Sequence, residues 1–351
     1  MTVPDILIAG RRIGDDMAPY VIAEMSANHN GSLETAMKII KAASESGADA
    51  VKLQTYTPDT ITLNCDSEDF CIHGGLWDGR TLYELYEEAS LPWEWHRPLY
   101  EYAHKIGITV FSTPFDKTAV DFLEKLETPA YKIASFEAVD IDLIEYVAGT
   151  GKPIIISTGM ADAEEIKRAI TAAKAGGCDQ IAILHCVSGY PAPASDYNLN
   201  TIRDMKERFG LVTGLSDHTL DNATAIASVA LGAAIIEKHF TLDRKDGGPD
   251  GSFSLEPDEL KNLCMDVKTA WEALGRIDYG KKSSELQNVK FRRSLYFVKD
   301  LKEGEIINVD SVRSVRPGYG MSPDKLKWLI GKRVAKNVKA NTPVLKNSII
   351  S

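Results

Sequence analysis

From residue 20 the chain repeats one rhythm: short Val/Ile-rich runs alternate with longer stretches of helical spacing. The apolar runs are YVIAEM (20–25), AVKLQT (50–55), TVFSTP (109–114), YKIAS (131–135), PIIISTG (153–159), IAILHCV (181–187), LVTGLS (211–216) and AAIIEKHF (233–240). Near-continuous apolar runs of this length fit strands buried on both faces, as in a parallel sheet covered by helices. Several intervening stretches open on Ser or Asp and most close on Gly, the start and stop signals of helices. Leu143, Ile144 and Val147 share one helical face, and so do Ile166, Ile170 and Ala173. Strand–helix repetition over about 240 residues predicts an α/β fold of the (β/α)8 TIM-barrel type. The rival is an open doubly wound sheet, which usually begins with a glycine-rich turn; no GxGxxG follows the first run.

Two segments interrupt the pattern. Residues 57–95 are too long for one crossover and carry LWDGRTLYELYEEASLPWEWH, whose aromatic content predicts a structured lid or extra helix. Plain packing is the simpler reading for at least two of Trp77, Trp93 and Trp95. After GRIDYGKKSSELQNVK the rhythm stops, and short strands and Gly/Pro turns follow from Phe291. The expected organisation is a barrel domain over 1–275, a linker over 276–290, and a small β-rich domain over 291–351.

Composition narrows the setting. The chain has 351 residues, a net charge of −10 and no apolar run long enough for a membrane span. That charge argues against nucleic acid or anionic membranes as partners. Five cysteines without a CxxC pair, and a start without signal-peptide character, fit a cytoplasmic protein.

In a barrel the chemistry gathers at the C-terminal ends of the strands. Those ends carry Glu24, Lys52 with Gln54, Ser112 with Thr113, Lys132 with Ser135, Ser157 with Thr158, His185, Ser216 with His218, and Glu237 with His239. Barrel rims tolerate some satisfied polar residues, but here every strand end supplies at least one. Ammonium and hydroxyl donors in a ring suit a phosphate or carboxylate. His218 and His239, at adjacent strand ends, have the arrangement of two imidazoles sharing a divalent ion; two rim histidines with hydrogen-bond roles are the alternative. No cysteine lies in either segment, which disfavours a structural zinc cluster. Lys238, by alternation, should face away from the barrel axis. The loop DRKDGGPDG (243–251) would bring Asp250 to the mouth, or be a solvated turn.

The motifs IAEMSANHNGS, AVKLQTY, FSTPFD, YKIAS, PIIISTGM, LHCVSGYPAP, GLSDHT, IEKHFTLDR and GPDGSFSLEP occur in an order that resembles the sialic acid synthase family. These enzymes condense phosphoenolpyruvate with a hexosamine-type sugar. The tail GEIINVDSVRSVRPGYGMSP resembles that family's antifreeze-like (SAF) domain. Within the family, AEMSANHNGS, KIASFE and the LWDGRTLYELYEEA…PWEWH insertion are similar to members that make pseudaminic acid. The resemblance implies that Lys52, Thr113, Lys132, Ser135, Ser157 and Ser216 hold phosphoenolpyruvate. One departure from the family stands at Ser188, which replaces the asparagine of the HCTNxYP pattern that contacts phosphoenolpyruvate; the resemblance implies that Ser188 would stand at that contact. His218 and His239 would ligate Mn²⁺ or Mg²⁺. Glu24, Tyr190, Glu237 and Asp250 would face the sugar or the water. Arg316 would reach an N-acyl group of the acceptor in the partner's site, within a domain-swapped homodimer. N-acetylneuraminate or legionaminate synthesis is the alternative within the family, and a non-catalytic sugar-binding protein the alternative outside it.

Overall fold

The computed structural model describes residues 3–350. Contacts divide the chain into two units, Met1–Gly275 and Arg276–Ser351.

The first unit opens with a hairpin that the strand rhythm did not anticipate. Strands β1 (Ile6–Ile8) and β2 (Arg11–Ile13) pair antiparallel around Ala9 and Gly10. Both turn residues have positive φ, at 48° and 83°, which matches the twist of a tight two-residue hairpin. Ile6, Ile8 and Ile13 pack against Tyr20, Ala50, Phe111 and Ala182, so the hairpin plugs the N-terminal end of the barrel. The local signal was only an Ala-Gly pair between short apolar runs.

The eight runs then form the barrel: β3 (Tyr20–Glu24), β4 (Ala50–Thr55), β5 (Thr109–Pro114), β6 (Tyr131–Ile133), β7 (Ile154–Ser157), β8 (Ile181–Cys186), β9 (Val212–Asp217) and β10 (Ile235–His239). All are parallel, and β10 closes the ring onto β3. Helices α1 (Leu33–Ser46), α4 (Trp93–Ile106), α5 (Lys117–Glu124), α6 (Ile141–Ala148), α7 (Ala163–Ala175), α8 (Asn200–Phe209), α9 (Ala223–Ala230) and α10 (Pro257–Leu274) follow the strands. Capping explains several of their starts. Ser32 accepts from the Thr35 amide, Asp116 from those of Thr118 and Ala119, and Asp162 from those of Glu164 and Glu165. Aliphatic side chains fill both the barrel interior and the space between strands and helices.

The insertion between β4 and α4 is ordered. It holds α2 (Pro58–Ile61) and α3 (Leu82–Ala89), the latter opened by a capping box between Thr81 and Glu84. Trp93 and Trp95 belong to α4, where Trp93 packs on Phe122 and Trp95 on His29. Trp77 behaves differently, as described below. Among the described residues no helix is long and apolar enough to cross a membrane.

The second unit begins with a run of 3-10 turns over Ser283–Phe291. It then forms a three-stranded antiparallel sheet of β11 (Ser294–Phe297), β12 (Val312–Val315) and β13 (Thr342–Pro343). Leu295, Phe297, Ile307, Val334 and Val344 make its core.

Candidate active site

Strand register builds the centre of the site. Glu24 lies opposite Lys52 across β3 and β4, and Glu237 lies opposite Ser216 across β10 and β9. The Lys52 ammonium forms an ion pair with Glu24, donates to Thr113 Oγ1 at 3.2 Å, and lies 3.9 Å from Glu237 Oε2. Lys132 donates to Ser157 Oγ at 2.6 Å and to its neighbour's carbonyl, Ile133 O, at 2.9 Å. Its nearest carboxylate oxygen, Glu237 Oε1, is 3.8 Å away and also accepts from Ser216 Oγ at 3.1 Å. Each of these seven side-chain positions is at most 5% exposed.

Such burial would be unfavourable for isolated charges, and the pairing sorts the protonation states. Burial lifts the Glu24 carboxyl to about 7, against the pull of Lys52. For Glu237 burial pushes upward too, but Lys132 and Lys52 outweigh it and hold the group below the ordinary range. Lys52 is raised, because Glu237 and Glu24 outweigh its desolvation. Lys132 is lowered, because its desolvation is less well compensated. The result is two cations, one firmly ionised carboxylate and one carboxyl that titrates near neutrality.

Beside Lys132, Ser135 and Ser188 meet with their hydroxyls 2.8 Å apart. Gly159 makes this possible. Its φ is 50°, and a Cβ there would lie 2.8 Å from Ser188 Oγ and collide with Ser135. The cradle therefore needs a bare backbone at residue 159. Hydroxyls, an ammonium and the glycine notch form a pocket wall made for anionic oxygen.

The opposite side carries carboxylates. Gln54 Nε2 donates to Glu24 Oε1 at 3.1 Å and to Ser26 Oγ at 3.0 Å, and Ser26 Oγ donates in turn to Asp250. Aromatic rings enclose this side. Tyr190 packs on His218 at 4.4 Å and on Phe253 at 5.4 Å between ring centroids. Trp77, from the insertion, packs on Tyr190 and donates its indole N–H to Pro249 O at 3.0 Å. The insertion thus contributes one wall residue at the mouth.

His218 follows β9 directly and His239 ends β10, with ring centroids 5.4 Å apart. His218 Nδ1 donates to Val187 O at 2.8 Å, and although burial pulls downward, Cys186 and Val187 O outweigh it and raise the ring's pKa, so Nε2 is the nitrogen that could take a metal once its proton is lost. His239 is held neutral, far below its ordinary pKa, by burial and by the His218 charge; its Nδ1 is buried without a partner. Two neutral-capable imidazoles with an orphaned ring nitrogen fit a divalent ion. Among the described residues no third His, Cys, Asp or Glu completes a ready-made cage, so substrate oxygen and water would fill the other positions.

The strand-end polar residues do not all face inward. Ser112 bonds to Thr55 at 2.6 Å, and Thr55 in turn to His96 at 2.8 Å; Thr158 Oγ1 donates to Leu184 O. His185 is tied to Tyr197 O. These three residues brace the strands, and with His185 tied to Tyr197 O, β8 does not supply the ring with the polar residue expected of it. Lys238 does point away from the axis, where it forms a buried ion pair with Asp217 at 2.9 Å. Cys186 was missed: neither histidine segment contains a cysteine, but β8 brings this one to His218. The thiol packs against His218, and despite burial the His218 and Lys132 charges lower its pKa.

Ser26 is a further addition, beside Gln54, which the strand ends already included. Both continue the inward alternation, two residues beyond Glu24 and Lys52, so a period of two was the available signal. Glu137 was also missed. It follows Ser135 in a 3-10 turn, its Oε2 is buried without a hydrogen-bond partner, and burial lifts the carboxyl to about 7 against the pull of Lys132. Arg316 lies in the second unit, just after β12, and is exposed.

The buried charges and hydroxyls sit at the C-terminal mouth of the barrel, where barrel enzymes keep their active sites, and comparison with known proteins gives the class. The NeuB family model matches residues 39–279, and the SAF domain model matches 292–350. The chain belongs to the NeuB family. It is 47% identical over 326 residues to the pseudaminic acid synthase of Campylobacter jejuni, covering 92% of this chain and 94% of that one. It is 43% identical to the pseudaminic acid synthase of Helicobacter pylori, covering 94% and 98%. The crystal structure of an N-acetylneuraminic acid synthetase from Leptospira borgpetersenii superposes with a TM-score of 0.73 at 30% identity, covering 83% of this chain and 97% of that one.

Proposed function

We propose that the chain makes pseudaminic acid. It would condense phosphoenolpyruvate with 2,4-diacetamido-2,4,6-trideoxy-L-altrose and water, and release phosphate by C–O cleavage. The observation that carries this reading is the split mouth. Two buried lysines with hydroxyls and a glycine notch lie on one side, and Glu24, Gln54, Ser26 and Asp250 lie on the other. A small polyanion and a neutral, hydroxyl-bearing sugar need opposite surroundings, and the two sides supply them.

In this reading Lys52, Lys132, Thr113, Ser135, Ser157, Ser188 and Ser216 orient the carboxylate and phosphate. The methylene carbon of phosphoenolpyruvate attacks the aldehyde carbon of the open-chain sugar, leaving a cationic centre on the phosphate-bearing carbon. Water adds there, and the tetrahedral intermediate expels phosphate. The ionised Glu237 faces that developing positive charge, and Glu24, titrating near neutrality, transfers protons on the sugar side. Tyr190 walls the acceptor space. A divalent ion, Mn²⁺ or Mg²⁺, held by His218 and His239 would supply Lewis-acid polarisation of the aldehyde oxygen.

We further place the enzyme in the cytoplasm, where its five free cysteines are stable. By resemblance it acts as a homodimer in which Arg316 of each tail serves the partner's acceptor. The test is turnover of phosphoenolpyruvate with three sugars: the altrose derivative, the legionaminate precursor and N-acetylmannosamine. Release of phosphate with the first, abolished by EDTA and restored by Mn²⁺ or Mg²⁺, is expected. Turnover of N-acetylmannosamine alone would overturn the acceptor assignment. Label from ¹⁸O water should appear in the new ring-carbon hydroxyl of the product and not in phosphate.

A further inference from the structure

Ser26 has a φ of 46°, in the left-handed region that L side chains rarely adopt, yet it is only 8% exposed. Strain of this kind persists where surrounding contacts over-determine the backbone. Here the contacts converge on two carboxylates. The Ser26 amide donates to Glu24 Oε1 at 3.1 Å, and the Ser26 hydroxyl donates to Asp250 Oδ2. Gln54 Nε2 bridges the same two residues, donating to Glu24 Oε1 and to Ser26 Oγ. The Ala27 amide also approaches Asp250, at 3.4 Å. A relaxed backbone at residue 26 would redirect both the amide and the hydroxyl, so the left-handed conformation is what lets one residue serve both acids.

The same turn clasps the loop that carries Asp250. Asn28 Nδ2 donates to Phe240 O at 3.0 Å and to Ser254 Oγ at 2.8 Å, and Ser254 Oγ donates to Asp250 O at 2.7 Å. The first and last strand-end loops of the barrel are therefore stitched together, with Ser26 as the stitch nearest the mouth. Glu24 turns its second oxygen to Lys52, whereas Asp250, half-buried, has Oδ2 tethered and Oδ1 without a donor among the described residues, so the pair still offers acceptor capacity at the mouth.

We propose that Ser26 is a positioning residue for acceptor recognition: it fixes Glu24 and Asp250 as a paired acceptor of hydroxyl and acetamido N–H groups on the sugar. This rests on the pseudaminic acid synthase reading and adds to it the residue that sets the acceptor side. Ser26 touches no group on the anion side, so its influence should separate the two substrates.

The test uses Ser26→Ala and Ser26→Gly in the full-length, metal-loaded enzyme. In both variants the KM for the sugar should rise about tenfold while the KM for phosphoenolpyruvate stays within about twofold. Ser26→Gly should melt roughly 2 °C above Ser26→Ala, because only glycine is relaxed at this φ. Independently of turnover, amide hydrogen exchange across residues 251–254 should quicken in both variants, since Asp250 loses its tether. A sugar KM that stays within about twofold, or two KM values that rise together, would overturn the proposal. If the wild type releases phosphate with no amino sugar, the reaction assignment fails instead. The exchange and melting measurements then decide Ser26 by themselves, unchanged exchange sinking it.

Discussion

Lys132 and Lys238 are both buried lysines on barrel strands, at 1% and 2% exposure, and burial lowers the pKa of both. Their surroundings differ in one respect. Lys238 faces outward and is complete: it donates to Asp217 Oδ2 at 2.9 Å, Thr219 O at 2.7 Å and Asp221 O at 2.8 Å. Lys132 faces inward and has only neutral acceptors at hydrogen-bond distance, with its nearest carboxylate at 3.8 Å. An ammonium has three donors, and a buried one is stable when all three are used and its charge is matched. Burial and charge do not separate a structural lysine from a functional one. Completeness of its hydrogen bonds does.

The comparison breaks most readily at Lys132. Lys132→Met should lower kcat/KM about 1,000-fold, because the lost cation faces charge that develops on phosphate. The same change should cost less stability than Lys238→Met, since it removes an incompletely compensated buried charge while Lys52 still faces Glu237. Urea unfolding beside steady-state kinetics checks both halves. Activity within about tenfold of wild type would place Lys132 with the structural set.

Lys238→Met should do the reverse. Removing one partner of a complete buried pair leaves Asp217 charged and unmatched, at a cost of about 3–5 kcal/mol in unfolding free energy. Adding Asp217→Leu should recover much of that loss, since no unpaired charge then remains. A single variant as stable as the wild type would show that the pair is not complete in solution.

Glu137 sharpens the comparison from the acidic side. Its folded-state pKa of about 7 lies above the usual value for glutamate. A carboxyl raised in this way contributes its full stability below the unfolded pKa and loses it as pH rises through 7. Glu137→Gln should therefore match the wild type near pH 5 and exceed it near pH 8.5 by on the order of 2 kcal/mol. Denaturant unfolding at the two pH values measures the gap, and a gap independent of pH would refute the assignment.

The rhythm of the sequence contained most of the barrel, because a both-faces-buried strand and a capped amphipathic helix are each local patterns. It did not contain the β1–β2 plug, whose residues read as an ordinary short apolar start until Ile6, Ile8 and Ile13 meet the barrel floor. For the site, residue type and strand-end position picked out Glu24, Lys52, Lys132 and Glu237, and the structure brings these together at one mouth. Strict alternation separates His185 and Lys238 from them, but listing strand ends without regard to parity does not. Register between strands is the part no single strand encodes. Glu237 opposite Ser216, and Cys186 against His218, follow only once the ring has closed. Ser26 escaped for a related reason: its role depends on a loop more than two hundred positions away.

Gly159 offers the smallest and most selective change on the anion side. A methyl group there would sit 2.8 Å from Ser188 Oγ with φ at 50°, so Gly159→Ala adds backbone strain of about 1–2 kcal/mol and pushes the Ser135–Ser188 hydroxyl pair apart. The lysines and their partners remain in place. The KM for phosphoenolpyruvate should therefore rise up to about tenfold, with the KM for the sugar within about twofold. That split is opposite to the one expected for Ser26, and the two sets of variants measured together test whether the mouth is divided as its charges are. If Gly159→Ala moves neither KM, Ser135 and Ser188 do not hold the anion. The lysines would then have to act with Thr113, Ser157 and Ser216 alone.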